Sequence, residues 1–296
     1  AYVYFGLTLL QTFCLVLAGM TFFDAVCHAF ATIATGGFST RNASIASYDS
    51  VAIEVIMLVF MAVSSLPFGL IFLLIVKRST SLFTSPVTRY YLISTLAVSV
   101  LVSANLWIGG TYGSFGTALR HGVFQTFSLV STAGFSSADS SMWPAFSMLL
   151  LFFLIFQGGC SGSTAGGIKA DRFLIAFQSI RAHITKKLHP HSVVPVRVGG
   201  QVIDPDMVEG VNLFIVLFFF VLFVTALVLT LTGLQVIEAL VASVVHLSNV
   251  GPGFGSVASV GNCHDLGGFS KFVLSLAMIM GRIELFGIFI LFSARK

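Results

Sequence analysis

Long runs of hydrophobic positions, apolar on every helical face, alternate with short polar breaks along this chain. Most of these runs approach or exceed the ~20 residues that a helix needs to cross a hydrocarbon core. The predicted spans are residues 1–20, 51–76, 90–110, 144–157, 207–232 and 269–292. Pro67 lies inside the second span and removes a backbone hydrogen bond, so a bend is expected there. The pattern predicts an all-α polytopic membrane protein.

Shorter apolar segments that cannot cross the bilayer occur at 22–34, 117–131 and 235–248, and each leads into a glycine-containing turn. The central glycines Gly37 and Gly134 are 97 residues apart, and Gly251 follows after a further 117. Self-similarity of this kind indicates an internal repeat. The three turns read Thr35-Gly36-Gly37-Phe38-Ser39, Thr132-Ala133-Gly134-Phe135-Ser136 and Asn249-Val250-Gly251-Pro252-Gly253-Phe254.

The repeating unit is a span, a short helix, a glycine turn and a second span. It divides the chain into a first unit at 1–78, a second at 79–187 and a third at 207–296. Residues 188–206 lie between the last two units and contain His189-Pro190-His191, Gly199-Gly200 and Asp204-Pro205. Such turn chemistry predicts a cytoplasmic loop.

The three turns have a common functional interpretation. Non-helical backbone inside a membrane is tolerated only where protein buries it or where it lines a water-filled path. Turns in three equivalent places therefore predict a ring of carbonyl oxygens that replaces the hydration shell of a cation. The C-terminus of each short helix would add a partial negative charge. The third turn departs from the pattern, with Asn249 in place of threonine, and Gly253 is an alternative to Gly251 as its aligned glycine.

The composition supports a membrane protein and excludes most other classes. Hydrophobic residues make up 56% of the 296 and charged residues 9%, with a mean hydropathy of +1.00. A soluble domain carries about a quarter charged residues. The basic residues flank apolar spans, so a nucleic-acid interface is excluded. They lie mainly at loops that the positive-inside rule assigns to the cytoplasm, namely Lys77, Arg78, Arg89, Arg172, Arg181, Lys186, Lys187, Arg197, Arg295 and Lys296.

Four cysteines, Cys14, Cys27, Cys160 and Cys263, are scattered without a CxxC pair. This spacing predicts neither a zinc site nor a disulfide framework. The chain opens at Ala1 inside an apolar run, without an initiator methionine or a charged signal-peptide region. We therefore expect that the natural protein begins further upstream.

A glycine-rich run at 158–167 interrupts the fourth span. Its glycines fit GxxxG spacing, which would explain them by helix packing. However, five glycines with Ser161, Ser163 and Thr164 among ten residues make a poor helix, and a helix broken at membrane depth is typically functional. Arg282 is the second unusual feature, because a charge inside an apolar span is costly. An arginine whose head snorkels to the cytoplasmic interface is the alternative explanation.

The turns, the run from Gly158 to Lys169 and the ending Gly281-Arg282-Ile283-Glu284-Leu285-Phe286 resemble the Trk/Ktr/HKT superfamily of potassium transporters. The resemblance is closest to the bacterial TrkH/TrkG membrane subunits and covers essentially the whole chain. It implies four pore-loop units around a pseudo-fourfold pore, of which this chain contains the second, third and fourth. It makes the turns a selectivity filter, at Thr35, Gly36, Gly37, Thr132, Ala133, Gly134, Asn249, Val250 and Gly251. It implies an intramembrane gate, at Gly158, Gly159, Gly162, Ser163, Thr164, Gly166, Gly167 and Arg282.

The resemblance further implies the ion-conducting subunit of potassium uptake in a bacterial cytoplasmic membrane. K⁺ would be the transported ion, with no other cofactor in this chain. The implied partners are a second copy, a cytoplasmic nucleotide-binding regulatory subunit of the TrkA type and the lipid bilayer. Sodium or mixed sodium–potassium transport is the main alternative, and coupling to protons stays open.

An enzyme, an intramembrane serine protease, is the remote alternative. Gly159-Cys160-Ser161-Gly162 satisfies the GxSG pattern of a serine nucleophile, for which His246 would be the base. This interpretation leaves all three glycine turns unexplained, so a transporter rather than an enzyme is predicted. His246 is then expected to be a packed residue of the third short helix. Asp24 and Glu54, near outer ends, would either attract cations or serve as caps.

Overall fold

A computed structural model of the chain describes residues 2–251, 253 and 266–283. Helices form nearly all of the regular structure among these residues, and two short 3-10 helices lie in loops at Ser44–Tyr48 and Ser140–Met142. The α-helices are α1 (Tyr2–Leu17), α2 (Phe22–Ile33), α3 (Val51–Ser64), α4 (Phe68–Lys77), α5 (Ser81–Thr84), α6 (Pro86–Ile108), α7 (Phe115–Val130), α8 (Ala145–Gln157), α9 (Ala170–Leu188), α10 (Pro205–Thr230), α11 (Val236–Leu247) and α12 (Gly268–Arg282).

Two of the described helices, α6 and α10, are long and apolar enough to cross a membrane. The bent pair α3 and α4 gives a third crossing if it is counted as one span. The short helices α2, α7 and α11 agree with the predicted segments to within two residues at either end. Their lengths of 12, 16 and 12 residues keep them inside the protein rather than across the bilayer.

The helices begin where the sequence provides N-caps. The backbone N–H of Asp24 bonds to the Thr21 hydroxyl at 3.2 Å at the start of α2. Ser114 accepts in the same way from the N–H of Thr117 at 3.1 Å and starts α7. Ser85 precedes Pro86 at the first turn of α6, where a missing N–H is harmless.

The interruption predicted within the span 51–76 is confirmed, and it is a complete break between two helices, α3 and α4. α3 and α4 differ in direction by 99°. The Ser64 and Ser65 hydroxyls bond back to the Met61 carbonyl at 2.9 and 2.8 Å, and Pro67 has no N–H to continue the helix. The broken ends are instead satisfied by the glycine-rich run. Cys160 N–H donates to the Ser65 carbonyl at 2.9 Å, and Phe68 N–H donates to the Gly162 carbonyl at 3.0 Å.

The polar loop between the second and third units contains a small β-hairpin, which is an exception to the all-α prediction. Strands β1 (Arg197–Val198) and β2 (Gln201–Val202) pair antiparallel. Gly199 and Gly200 between them have φ of 60° and 84°. Positive φ at both central residues gives the type I′ turn that matches the twist of a hairpin.

The units pack in a repeating way. Within each unit the first helix packs against the short helix, as α1 with α2, α6 with α7 and α10 with α11. Between units, α3 packs on α7 and α8 packs on α11, so the second helix of one unit supports the short helix of the next. Phe124 and Phe135 of the second unit enter the core of the first, beside Leu15, Met57 and Met61.

Some predicted features lie outside the described residues. These are Pro252 and Phe254 of the third turn, Cys263, and the last span beyond Ile283 with Arg295 and Lys296. Cys14, Cys27 and Cys160 lie within the described residues and are free thiols.

Candidate ion pathway

All three short helices end in the same backbone motif. The first residue of each turn, Thr35, Thr132 or Asn249, has a left-handed φ of 53°, 55° or 57°. Two backbone N–H groups then bond back into the helix, which is the Schellman arrangement of a helix C-terminus. In the first turn the N–H groups of Thr35 and Gly36 donate to the carbonyls of Thr32 at 3.1 Å and Ala31 at 2.7 Å. In the second turn those of Thr132 and Ala133 donate to Leu129 and Ser128, both at 3.1 Å. In the third turn those of Asn249 and Val250 donate to His246 at 3.0 Å and Val245 at 2.9 Å.

Threonine is an unusual residue at these positions. A β-branched side chain with positive φ is a genuine outlier, and such strain costs on the order of 1–3 kcal/mol. The cost is offset where the side chain makes a bond that glycine could not make. Thr35 and Thr132 each bond the glycine-rich loop, at 2.8 and 2.7 Å. Asn249 bonds the Met278 carbonyl in α12 instead, at 3.1 Å.

The backbone also decides the register of the third turn. Gly37 and Gly134 follow their threonines by two positions and have φ of 71° and 74°. Gly251 stands at the same place after Asn249, with φ of 91°. Gly251 rather than Gly253 is therefore the counterpart of the other two glycines. A Cβ added at Gly37 would overlap the carbonyl oxygen of Ala133, so the first two turns lie directly against each other.

Residues 158–167 form a closed loop between α8 and α9, as the interrupted span predicts. The two ends of the loop meet. Gly158 has φ of 61°, and a Cβ on it would overlap the carbonyl oxygen of Gly166. Ala170 N–H at the start of α9 donates to the Gly159 carbonyl at 2.9 Å. The loop is thus fixed at its base, while its middle residues remain available for other contacts.

The loop contacts all three turns. The Thr164 hydroxyl donates to the Ile33 carbonyl at 2.7 Å, at the end of α2. Gly166 N–H donates to the Thr132 hydroxyl oxygen at 2.7 Å in the second turn. A Cβ on Gly166 would overlap the carbonyl oxygen of Ser248, the last residue before the third turn. Thr164 therefore contacts the end of α2 through its hydroxyl and the first turn through its carbonyl, which accepts from Thr35. Gly166 lies between the second turn and the start of the third.

Arg282 joins this assembly from α12. Its Nη1 donates to the Thr164 carbonyl at 2.7 Å, and its Nη2 donates to the Ala34 carbonyl at 3.4 Å. The guanidinium thus contacts the loop through Thr164 and the C-cap of α2 through Ala34, while Arg282 itself is exposed. A cavity of about 250 Å³ adjoins it, lined by loop residues 163–167, Lys169, Phe214 and Gly281.

Two acidic residues considered at the outer ends have structural partners. Glu54 in α3 is buried and receives a bidentate pair of bonds from Arg120 in α7, at 2.6 and 2.8 Å. Asp24 accepts from Thr40 at 2.6 Å and from Arg41 at 3.5 Å. The hydrogen bond from Thr40 holds the pKa of Asp24 below its usual range. Both carboxylates therefore tie short helices to their neighbours.

The residues of the enzymatic alternative are engaged elsewhere. His246 is buried in α11, and its Nδ1 lies 2.8 Å from the Ala242 carbonyl of the same helix. Ser161 is exposed, and its N–H donates to Asp171 at 3.1 Å. Among the described residues no hydrogen bond joins this serine to this histidine. His246 is a packed histidine, as the transporter interpretation predicts.

The sequence reasoning missed several groups of this assembly. The carbonyls of Ile33 and Ala34 bind Thr164, Thr35 and Arg282. The last carbonyls of any helix have no partner within the helix, so the predicted end of α2 could have indicated these acceptors. The Glu54–Arg120 pair joins residues 66 positions apart and has no comparable signal in one sequence.

Comparison with known proteins identifies the family. The family model described as TrkH, cation transport protein, matches residues 1–295. The chain belongs to the TrkH family. The resemblance inferred from the turns, the glycine run and Arg282 is therefore confirmed, as is the helical membrane-protein fold class.

Individual members of the TrkH family match over nearly the whole chain. The Trk system potassium uptake protein TrkH of Halomonas elongata is 34% identical over 99% of this chain and 60% of its own length. TrkG of Escherichia coli K12 is 33% identical over 95% of this chain and 57% of its own length. The crystal structure of the potassium transporter TrkH from Vibrio parahaemolyticus matches with a TM-score of 0.90 at 34% identity, over 98% of this chain and 62% of that one. The chain thus spans about 60% of the length of these relatives.

Proposed function

We propose that this chain forms three of the four pore-loop units of a potassium-uptake protein. The observation that carries the proposal is the contact of one glycine-rich loop with all three strained turns. A loop in that position blocks any path that the turns surround. The names of the relatives, which are potassium uptake proteins, agree with a conduction pathway for K⁺.

The turns act as the selectivity filter in this proposal. Left-handed residues at the first and third positions give each turn a non-helical backbone, whose carbonyls supply the cation ligands in this proposal. The negative ends of α2, α7 and α11 point at the same turns. Among the described residues, no group of three or more His, Cys, Asp or Glu side chains is placed to hold a metal ion. The filter ligands are residues 35–37, 132–134 and 249–251.

The gate consists of the loop and Arg282. Gly158, Gly159, Gly162, Gly166 and Gly167 give the loop its tight course, and Ser163 lies on it beside Thr164. The Thr164 carbonyl accepts from the Thr35 hydroxyl of the first turn and from Arg282, and the Thr164 hydroxyl donates to Ile33 at the end of α2. Displacement of the loop from the turns opens the pathway. The positive charge of Arg282 opposes cation entry while the loop is closed.

A fourth unit completes the ring. Phe135 of the second turn is fully buried in the core of the preceding unit, with a fractional exposure of 0%. Its counterpart in the first turn, Phe38, is 77% exposed. The repeat therefore supports a further unit that covers Phe38, which the resemblance identifies as the first unit of the family.

The cellular setting follows from the resemblance and the charges. The protein lies in a bacterial inner membrane as a homodimer, with its basic loops and C-terminus in the cytoplasm. A TrkA-like nucleotide-binding subunit contacts that face. Arg181, Lys186 and Lys187 on the exposed part of α9 support an inner location for this helix.

Ion flux into proteoliposomes that contain the full-length native protein tests the proposal. We expect uptake of K⁺ and Rb⁺ well above uptake of Na⁺. Arg282→Ala removes the positive charge, one bond to the loop and one to the C-cap of α2, so it raises K⁺ flux. Arg181→Ala on exposed α9 is the matched control and leaves flux unchanged. Equal Na⁺ and K⁺ uptake would establish the sodium alternative. Unchanged or reduced flux in Arg282→Ala would contradict the role of the gate.

A further inference from the structure

A crevice lined mainly by phenylalanine opens between α8, α9, α10 and α11. Its volume is about 370 Å³, and six of its nine lining residues are Phe152, Phe153, Phe156, Phe173, Phe219 and Phe223. The other three are leucine or valine, so no lining side chain carries a polar group. Phe153 and Phe223 are 62% and 59% exposed, which places the mouth of the crevice on the lateral surface of the helix bundle. In a helical membrane protein, an apolar lateral surface faces the hydrocarbon of the bilayer.

The chemistry of the crevice selects an acyl chain over an extended peptide. A peptide inserted there would bring backbone N–H and C=O groups, each of which needs a partner when it leaves water. The lining side chains offer none. An acyl chain carries no polar group and needs no partner. The corresponding seam between α3 and α7 differs in this respect, because its cavity of about 420 Å³ includes the Glu54–Arg120 ion pair.

The crevice lies at the depth where the acyl chains of a bilayer end. Phe219 and Phe223 lie just beyond the middle of α10, which runs over Pro205–Thr230. Since α10 is long enough to cross the membrane, its middle is near the bilayer centre. Phe156 of α8 and Phe173 of α9 flank the glycine-rich loop on either side. A chain in the crevice thus contacts both helices that hold this loop.

An apolar stripe leads from the crevice along α9 to the basic end of that helix. Phe177, Ile180 and Ile184 are 55%, 58% and 56% exposed. They follow Phe173 by four, seven and eleven residues, which is the spacing of one helix face. The ring centroids of Phe173 and Phe177 are 6.3 Å apart, so the stripe is continuous with the crevice. Lys187, which is exposed, continues the same face three residues after Ile184.

The length of the stripe matches one leaflet of a bilayer. Lys187 follows Phe173 by 14 residues within α9, which at 1.5 Å per residue is about 21 Å. Half of a bilayer with its headgroups is about 20–22 Å thick. A phospholipid whose chain ends in the crevice therefore brings its phosphate to the level of Lys187. Basic residues beside apolar helices on the cytoplasmic side attract anionic lipids.

We propose that the crevice and the apolar stripe bind one anionic phospholipid of the inner leaflet, with an acyl chain in the crevice and the phosphate beside Lys187. The inner location of α9 rests on the proposed function. Because the bound chain packs against α8 and α9 on both sides of the loop, the lipid stabilises the arrangement in which the loop contacts the turns.

Quenching of tryptophan fluorescence by brominated phospholipids tests the site. In full-length protein whose own tryptophans are replaced by phenylalanine, Phe223→Trp places a reporter in the crevice. Leu96→Trp is the matched control, because Leu96 is 51% exposed on α6, away from the crevice. Phosphatidylglycerol with brominated chains, titrated in detergent, quenches the crevice reporter saturably. Phosphatidylcholine with the same chains requires about fivefold more, whereas the control reporter responds to both lipids alike.

Two neighbouring lysines separate a defined site from general attraction to negative lipid. Lys187→Gln removes the charge at the end of the stripe and raises the phosphatidylglycerol concentration for half-maximal quenching about fivefold. Lys186→Gln, on the opposite face of α9, is the matched control and leaves that concentration unchanged. Native mass spectrometry needs no tryptophan replacement. It shows more phosphatidylglycerol retained by wild type and Lys186→Gln than by Lys187→Gln.

The inference is overturned if both reporters are quenched alike, or if the two lipids act alike on Phe223→Trp. It is equally overturned if the crevice reporter is not quenched, an outcome that leaves a second copy or the regulatory subunit to cover this face. A failure of the proposed function looks different, since these readouts need no flux. Protein that binds phosphatidylglycerol in this way but conducts no K⁺ refutes the transport proposal and keeps the lipid site.

Discussion

Thr164→Val is the most direct perturbation of loop closure. The substitution keeps the shape of the side chain but removes the hydroxyl that donates to the Ile33 carbonyl at 2.7 Å and approaches the Ser64 carbonyl at 3.3 Å. The backbone bonds of Thr164 to Thr35 and Arg282 are retained. Any effect therefore reports on one side-chain hydrogen bond between the loop and the end of α2.

The expected magnitude follows from the buried acceptor. A buried group left without its partner costs about 1–3 kcal/mol. Ile33 is fully buried, so water does not replace the lost donor. A shift of about 1–2 kcal/mol in favour of the open loop raises the open fraction roughly 5- to 30-fold while that fraction is small. We expect K⁺ flux to rise by a similar factor.

Cys160 provides a second readout because it lies in the loop and is fully buried. In a background with Cys14, Cys27 and Cys263 replaced by alanine, the rate of thiol modification at Cys160 measures loop displacement. Thr164→Val accelerates it, whereas Thr164→Ser keeps the hydroxyl and is the matched control. Equal rates and equal flux in the Val and Ser variants would refute the argument that this bond holds the loop closed.

Three further substitutions test the turns and their supports. Gly37→Ala places a Cβ against the Ala133 carbonyl and reduces K⁺ flux at least about tenfold. Gly69→Ala is the control, because a Cβ there meets no atom within 4 Å, and it leaves flux unchanged. Similar losses of flux in both variants would refute the close contact of the turns. Glu54→Gln leaves Arg120 without its carboxylate and lowers the free energy of unfolding in detergent by about 1–3 kcal/mol. An unchanged unfolding midpoint would show that the ion pair contributes nothing to stability. Asn249→Val forces a β-branched residue to φ of 57° and destabilises the folded protein by about 1–2 kcal/mol more than Asn249→Gly does. Equal stability of the two variants would contradict the left-handed conformation of residue 249.

The sequence determined the architecture because its signals are local. The apolar runs predicted α6 and α10, the two described helices long enough to cross a membrane, and the short helices were placed to within two residues at either end. The repeated turns and the run at 158–167 indicated backbone that does not continue a helix, which depends only on glycine content and neighbouring residues. Charge inside an apolar segment singled out Arg282 for the same reason.

The tertiary structure decided which groups meet. Nothing in the sequence assigns Thr35 and Thr132 to opposite roles, one donating to the loop and the other accepting from it. The 99° break at Ser65–Pro67 depends on loop residues about 100 positions away that satisfy its free backbone groups. The register of Gly251 and the pairing of Glu54 with Arg120 likewise required coordinates. Hydrogen bonds between distant segments depend on where packing places each backbone, and a single sequence specifies that placement only through the complete fold.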